Sequence, residues 1–312
     1  MNAYLRGPKA LWPLAIAAAL GAPGVALADP TVYETPEAAT EAVITALEAR
    51  DRAQLIAVFG DENQDVVLSG DDVADREAWS RFLSDYRVLH RIDVEDDSAT
   101  IYVGRDQWPF PAPIVKADDG WHFDAAGARE EILMRRIGQN ELDVINLMQG
   151  YVRAQSAYRA SDPDGDGLRS FAADLISSPG TRDGLYWPDE PGAPESPVGD
   201  FMARAAAEGY SIGGQDADPE PYHGYYFKLL QKQGAAAPGG AIDYMVGGRM
   251  LAGHALLAFP SAYGDTGIMS FMVGEAGIVY EADLGEDTLA VAAAITSFDP
   301  GEGWAPVEAE AP

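Results

Sequence analysis

The sequence predicts an α+β protein with two domains. Segments whose apolar residues recur three and four positions apart open each half of the chain, and short apolar runs bounded by glycine and aspartate follow them. Without a predicted leader of 28 residues, 284 of the 312 residues remain, which is more than one hydrophobic core usually organises. We expect an N-terminal α+β domain over residues 29–128, a second α+β domain over 129–299 and a disordered tail over 300–312.

Residues 1–28 have the features of a secretory signal peptide. Arg6 and Lys9 supply a positive start, an apolar run follows, and Ala26 and Ala28 fit the small-x-small rule for cleavage after Ala28. Prolines and glycines interrupt the apolar run, which falls short of the roughly 20 apolar residues of a membrane span. We therefore expect a periplasmic or secreted protein with no stable membrane insertion after cleavage. The chain contains no cysteine, which excludes disulfides and lipid attachment through a cysteine.

The chain is strongly acidic. It carries 50 Asp and Glu against 21 Lys and Arg, a formal net charge of -29 at pH 7. A surface this negative repels phosphate backbones and anionic lipid headgroups, so nucleic acid is a poor partner. Solubility in a salty environment, where charge is screened, is the simplest interpretation.

The first domain is predicted to have two helical units followed by an antiparallel sheet. Thr35-Pro36-Glu37 combines a Thr cap, a Pro in the first turn and an early acid, and helical spacing of apolar residues continues to Gly60. A second helix is expected over residues 75–86. Strands are expected over residues 88–94, 100–103, 114–116 and 121–123. This order resembles the cone-shaped nuclear-transport-factor-2-like architecture.

The second domain is predicted to begin with a long helix. Residues 130–137 lead into it, and the Asn140-Glu141-Leu142-Asp143 segment has the composition of a cap with acids in the first turn. An acidic glycine turn, a short helix over residues 168–176 and a helix over 200–208 follow before the strands. A long helix, an acidic turn and a later sheet resemble the soluble part of pseudopilins, without their membrane helix. The resemblance implies a pilin-like helix packed on an antiparallel sheet.

Residues 222–284, which begin YHGYYFKLLQ and end GIVYEADL, alternate β-rich segments with glycine turns. Strands are expected over residues 223–230, 241–246, 254–259, 268–273 and 277–281, and a last helix over 287–298. This block closely resembles the C-terminal half of a secreted bacterial family known as domain of unknown function 2950. The resemblance implies a family but no activity.

The turn after the long helix matches the first half of a calcium-binding loop. Asp162, Asp164 and Asp166 alternate before a glycine, as in the pattern D-x-D-x-D-G, and alternate carboxylates can converge on one ion. The bidentate Glu of that loop is replaced by Ala173, and Asp174 stands one position late as a substitute ligand. The alternative is a plain acidic turn that caps a helix. Calcium is therefore a candidate cofactor.

A second candidate site follows in a long connection. Arg182, Asp183, Tyr186 and Trp187 combine charge with two adjacent aromatic rings, which could stack on a sugar or hold a peptide. The alternative is that both rings are buried as a lid over the sheet, because large aromatic residues are mostly buried.

Recognised catalytic motifs are absent from the sequence. The four histidines lie far apart, and neither a nucleophile elbow nor a phosphate loop occurs. Three functions remain open: a non-enzymatic binding or envelope-associated protein, a periplasmic hydrolase acting on a glycan or peptide, and an accessory of a secretion or pilus-like system. The first is favoured, with an envelope protein or a glycan as the partner.

Overall fold

The computed structural model describes residues 29–70, 72–163, 165, 167–188, 195–198 and 221–307. The chain divides into two compact units between Arg129 and Glu130, one residue after the predicted boundary. The predicted signal peptide and the helix predicted over 200–208 lie outside the described residues. Helices and antiparallel sheets in both units confirm the α+β class. The finer likenesses to nuclear-transport-factor-2-like and pseudopilin scaffolds stay predictions.

The first unit opens with helices that begin where local capping dictates. Thr35 accepts a hydrogen bond from the backbone N–H of Ala38, and the side chain of Asp51 accepts one from Gln54 at 3.0 Å. Both bonds satisfy amides that have no partner inside the helix. The helices are α1 (Pro36–Ala49), α2 (Arg52–Phe59) and α3 (Asp72–Val88), with a 3-10 helix (Asp61–Val66) between the last two.

An antiparallel sheet completes this unit. Its strands are β1 (His90–Glu95), β2 (Ser98–Val103), β3 (Trp108–Pro109), β4 (Ile114–Ala117) and β5 (Gly120–Phe123). They lie in the order β1-β2-β4-β5, and β3 also pairs with β2. Every second residue of β2 is buried, which places Ile101 in a core where the rings of Phe59 and Phe123 stack with centroids 4.7 Å apart.

The long helix α4 (Ala125–Ser161) is one continuous element of 37 residues. Its amide groups at the start are capped by Asp124, whose carboxylate accepts from the N–H groups of Ala126 and Gly127 at 3.0 Å. The cap predicted at Asn140 is wrong, because that side chain and Glu141 make tertiary contacts instead. Asn140 donates to the carbonyl of Thr266, and Glu141 accepts two backbone N–H bonds, each 2.9 Å long, from the start of a later strand.

The second unit contains a five-stranded antiparallel sheet and several short ladders. Its strands are β6 (Asp174–Ile176), β7 (Gly184–Tyr186), β8 (Tyr225–Leu230), β9 (Lys232–Gln233), β10 (Ile242–Asp243), β11 (Met245–Val246), β12 (Arg249–Met250), β13 (Ala255–Pro260), β14 (Met269–Gly274), β15 (Val279–Asp283) and β16 (Ala305–Pro306), with helix α5 (Thr288–Ala294) before the last. The large sheet has the order β16-β15-β14-β13-β8. The pairs β9–β10, β11–β12 and β6–β7 are separate ladders, the last of them parallel.

Three local predictions for this unit are wrong. Residues 174–176 form a strand rather than the end of a helix, because β6 pairs with β7 and Gln155 holds the backbone of Ala172 through both of its amide atoms. Residues 241–246 form two short strands with different partners. The tail predicted to be disordered from residue 300 is ordered to Val307, because β16 satisfies backbone groups along the edge of β15.

Both faces of the large sheet are covered. Strand β13 is buried along almost its whole length, so its residues alternate between two apolar clusters. Leu256 packs in the cluster that contains Met148 and Tyr151 of α4, and Leu257 packs in the cluster that contains Ala292 of α5. Among the residues that the structure describes, no helix combines the length and the apolar composition needed to cross a membrane.

Candidate functional site

The acidic turn closes on itself. Asp162 has a positive φ of 47°, its carboxylate accepts from the N–H of Gly167 at 3.0 Å, and its carbonyl accepts from Gly165 at 3.0 Å. Asp164 and Asp166 lie outside the described residues. Within the described part of the chain, no three His, Asp or Glu side chains are grouped as metal ligands require. Calcium binding here stays a prediction.

Asp174, the fourth predicted ligand, lies on β6 rather than at the start of a helix. Partial burial raises the pKa of its carboxyl group, and the nearby carboxylate of Asp183 raises it further. Two acids in one neighbourhood repel each other when both are charged, so a bound cation would relieve that repulsion.

The Arg182–Trp187 segment lies next to the acidic turn. The guanidinium of Arg182 donates to the carbonyl of Pro163 at 3.4 Å, and the backbone carbonyl of Arg182 accepts from the hydroxyl of Tyr158 at 2.6 Å. The sequence-predicted metal and binding residues that can be located therefore share one corner of the second unit. Trp187 is only 4% exposed, whereas Tyr186 is half-buried. The ring of Trp187 meets that of Tyr158 edge-on, with centroids 6.3 Å apart.

The acidic side chain of this segment is bonded to the loop that precedes it. The carboxylate of Asp183 accepts from the backbone N–H of Ser178 at 2.8 Å, from its hydroxyl at 2.9 Å and from the hydroxyl of Thr181 at 2.7 Å. Partial burial acts to raise the pKa of Asp183, and these hydrogen bonds outweigh it, so the pKa lies below its ordinary value. Asp183 thus holds the loop in shape.

A different place in the second unit has the form of a ligand site. A cavity of about 340 Å³ opens beside the β9–β10 ladder and the turn between β14 and β15. We name it the aromatic pocket. Its lining residues are Gln233, Pro238, Ile242, Tyr244, Ala252, Gly253, Gly274, Glu275, Ala276, Ile278, Tyr280 and Phe298.

Gln233 holds one wall of the aromatic pocket. Its side-chain carbonyl accepts from the hydroxyl of Tyr244 at 2.9 Å, and its NH₂ group donates to the carbonyls of Pro238 and Gly240 at 2.8 and 2.6 Å. One amide therefore fixes both the Tyr244 ring and the loop that faces it.

Two glycines let aromatic rings lie directly on the backbone of the pocket. A Cβ at Gly253 would stand 2.6 Å from the ring of Tyr244, and one at Gly274 would stand 2.9 Å from the ring of Phe298. Real Cβ atoms do not approach so closely, so a side chain at either position would displace a ring. The ring of Tyr280 meets that of Phe298 edge-on, with centroids 6.0 Å apart.

Glu275 is the charged member of the described lining. Its side chain is 55% exposed, and the guanidinium of Arg159 lies 3.7 Å from its carboxylate. Burial raises the pKa of Tyr244 to about 12, and the negative charge of Glu275 contributes in the same direction. The tyrosine is therefore neutral at ordinary pH and offers a hydroxyl rather than a phenolate.

His254 follows the pocket residue Gly253 and is fully buried. The centroid of its ring lies 5.2 Å from that of Tyr151 and 4.7 Å from that of Phe171, both in edge-on contact. Neither ring nitrogen has a hydrogen-bond partner in the described structure. Burial lowers the pKa of His254 to about 4, and the positive charge of Arg159 lowers it as well. The imidazole is therefore neutral at pH 7.

Sequence reasoning missed the aromatic pocket. It gave residues 222–284 a family but no activity, and it named none of the residues that line this pocket as a candidate. The lining residues come from several separate segments, and 65 positions separate Gln233 from Phe298. No spacing pattern in the sequence could therefore have predicted them. The only local signal was the recurrence of tyrosines near glycines.

Comparison with known proteins gives a family without an activity. The family described as "Protein of unknown function (DUF2950)" matches residues 30–307, nearly the whole chain beyond the predicted leader. No curated protein matches the chain. No solved structure matches it either. The match covers both units described above, and the chain belongs to the DUF2950 family.

Proposed function

We propose that this protein is a secreted, non-enzymatic binding protein whose ligand occupies the aromatic pocket. The observation that carries the proposal is a cavity of about 340 Å³ lined by three aromatic rings and one carboxylate. Ligand sites in proteins are typically concave, mostly apolar and roughly 300–1,000 Å³ in volume, with a few polar groups that orient the ligand. The volume lies at the lower end of that range, so the ligand is a small molecule or the end of a larger one.

The lining supports binding better than catalysis. Glu275 is the one acidic side chain among the described lining residues, and none of those residues is a histidine, serine or threonine. Glycoside hydrolysis ordinarily uses two carboxylates, and acyl transfer uses a nucleophile with a neighbouring base. The glycan or peptide hydrolase therefore ranks second, and the pilus-like accessory rests on the pseudopilin likeness alone.

The proposed location is the periplasm or the exterior of the cell. It is supported by the charged start, the apolar run and the cleavage motif ending at Ala28. Candidate ligands are therefore envelope components, either a glycan, a protein end or a small solute of that compartment.

A pocket-blocking variant tests the proposal. Ala276 lies at an exposed position of the lining, so Ala276→Trp adds an indole ring without disturbing a buried core. Ala290→Trp, at an exposed position on α5 outside the lining, is the matched control. The protein is expressed with its own leader, recovered from the periplasm and examined by native mass spectrometry.

The parent and Ala290→Trp are expected to carry a small bound molecule that Ala276→Trp lacks, with similar unfolding temperatures for all three. Retention of the same molecule by Ala276→Trp would place binding elsewhere. The proposal would be wrong if the parent carries no ligand and if no small molecule in a broad library raises its unfolding temperature.

A further inference from the structure

The hydrogen-bonding capacity left in the aromatic pocket is rich in acceptors. Both N–H bonds of the Gln233 amide are donated to backbone carbonyls, and the hydroxyl of Tyr244 donates its proton to Gln233. What Tyr244 can still offer a ligand is an oxygen lone pair, and Glu275 offers carboxylate oxygens. Tyr280 adds a further hydroxyl. A ligand that donates hydrogen bonds suits this lining better than one that accepts them.

The charge on Glu275 is only weakly compensated. Arg159 lies 3.7 Å away, beyond ordinary hydrogen-bond length, and the two side chains are 41% and 55% exposed. Exposed pairs of this kind contribute little, because water screens them and the side chains lose freedom in pairing. The whole chain has a formal net charge of -29, which raises the local concentration of small cations and lowers that of anions.

The three aromatic rings add a second attraction for positive charge. The faces of Tyr244, Tyr280 and Phe298 carry partial negative charge, and such faces attract ammonium groups, especially where water is partly excluded. The exposed apolar side chains of Ile242 and Ile278 lie at the same opening and suit methyl or methylene groups. Aromatic faces, alkyl contacts and one carboxylate together match a cation with an apolar surface.

We propose that the aromatic pocket binds a small organic ammonium ion, with its charge facing Glu275 and its carbon atoms against the rings of Tyr244, Tyr280 and Phe298. This inference rests on the proposed function, since it names the ligand class of the same pocket. A neutral sugar is the main competitor. Sugar hydroxyls require paired donors and acceptors, whereas the donors of Gln233 are already used.

Titration calorimetry on the mature chain tests the ligand class. The probes are choline, its neutral isostere 3,3-dimethylbutan-1-ol, n-butylamine and glucose. Choline and the neutral alcohol share a shape and differ in charge, so the ratio of their affinities measures the contribution of the positive charge. We expect choline to bind about ten-fold more tightly than the alcohol, and its binding to weaken as salt is added.

The variant Glu275→Gln keeps the size of the side chain and removes its charge. It is expected to weaken choline binding by about ten-fold while leaving the binding of the neutral alcohol unchanged. Glu286→Gln, at an exposed acid outside the lining, removes the same net charge and is expected to change neither. Equal unfolding temperatures show that both variants are folded.

The outcomes separate the two proposals. Equal binding of choline and the neutral alcohol, tighter binding of glucose, or an unchanged affinity in Glu275→Gln would overturn the ammonium inference and leave a ligand pocket in place. Tighter binding of n-butylamine than of choline keeps the inference and points to a lysine-like primary ammonium as the source. If none of the probes binds, the ammonium inference is overturned. The proposed function is then overturned as well only if native mass spectrometry shows no difference in bound ligand between the parent and Ala276→Trp.

Discussion

Acid is expected to destabilise the second unit through His254. In the folded protein the imidazole is buried, neither ring nitrogen has a hydrogen-bond partner among the described residues, and its pKa is about 4, whereas an unfolded histidine titrates near 6.5. Above the unfolded pKa both states are neutral and this group contributes nothing to the pH dependence. As the pH falls below it, the unfolded chain takes up a proton that the folded chain refuses, so stability decreases until the folded pKa is reached.

The size of the effect follows from the two pKa values. Because the pKa of His254 is about 4 in the folded chain and near 6.5 in the unfolded chain, lowering the pH from about 7.5 to about 4.5 reduces the free energy of unfolding by roughly 2.5 kcal/mol. The charged neighbour is Arg159, whose guanidinium disfavours a second positive charge. Many carboxylates also titrate in this range, so the His254 contribution must be obtained as a difference between two proteins.

His254→Phe supplies that difference. A phenyl ring keeps the edge-on contacts with Tyr151 and Phe171 and cannot be protonated. Because Phe is larger, it shifts stability at neutral pH by an amount set by packing, but that shift is the same at every pH. Urea unfolding of both proteins is followed by fluorescence at several pH values.

The parent is expected to lose about 2.5 kcal/mol more than His254→Phe as the pH falls to about 4.5, with most of the divergence below about pH 6. Curves that stay parallel to within roughly 0.5 kcal/mol would show that folding does not lower the pKa of this imidazole. A larger loss by the variant would contradict it as well.

Three further outcomes follow from the same structure. Trp187→Ala removes a buried ring and is expected to destabilise the second unit by about 3–5 kcal/mol in urea unfolding, whereas the exposed Trp108→Ala changes little; equal effects would contradict the burial. Lys228→Met removes an ammonium that donates to carbonyls at the end of α5, at 2.9 and 2.8 Å, and should cost about 1–2 kcal/mol; an unchanged unfolding midpoint would rule out this cap. Calcium is expected to raise the unfolding temperature of the parent and not of a variant carrying Asp162→Ala and Asp164→Ala, and identical shifts would eliminate the site.

Much of the fold could be predicted from local sequence. The strands around β8, β13, β14 and β15 were placed to within about two residues, because each is a short apolar run bounded by glycine or aspartate turns. The start of α1 was predicted from Thr35 and Pro36, whose capping bond lies within one turn. Signals of this kind need only neighbouring residues.

The predictions that were wrong concern residues whose structure depends on contacts with other segments of the chain. Asn140 and Glu141 have the composition of a helix cap, but they bind the backbone of Thr266 and of the start of β14, more than 120 residues later, and α4 continues through them. The short strands β6 and β16 exist because other strands pair with them, β7 ten residues later and β15 24 residues earlier, and the sequence of a strand by itself does not reveal its partner.

The α+β class, the family and the acidic charge could all be recognised in the amino-acid sequence, because these depend on composition, periodicity and contiguous motifs. The position of the candidate ligand pocket could be found only from the packing of the folded chain. The aromatic pocket exists because the chain brings Tyr244, Glu275 and Phe298 together from separate segments, and because glycines let the rings lie against the backbone. The same packing buries Trp187, which agrees with the buried lid that the sequence left open as the alternative to a binding loop. Contiguous patterns specify elements, whereas a site assembled across a sheet depends on how those elements pack.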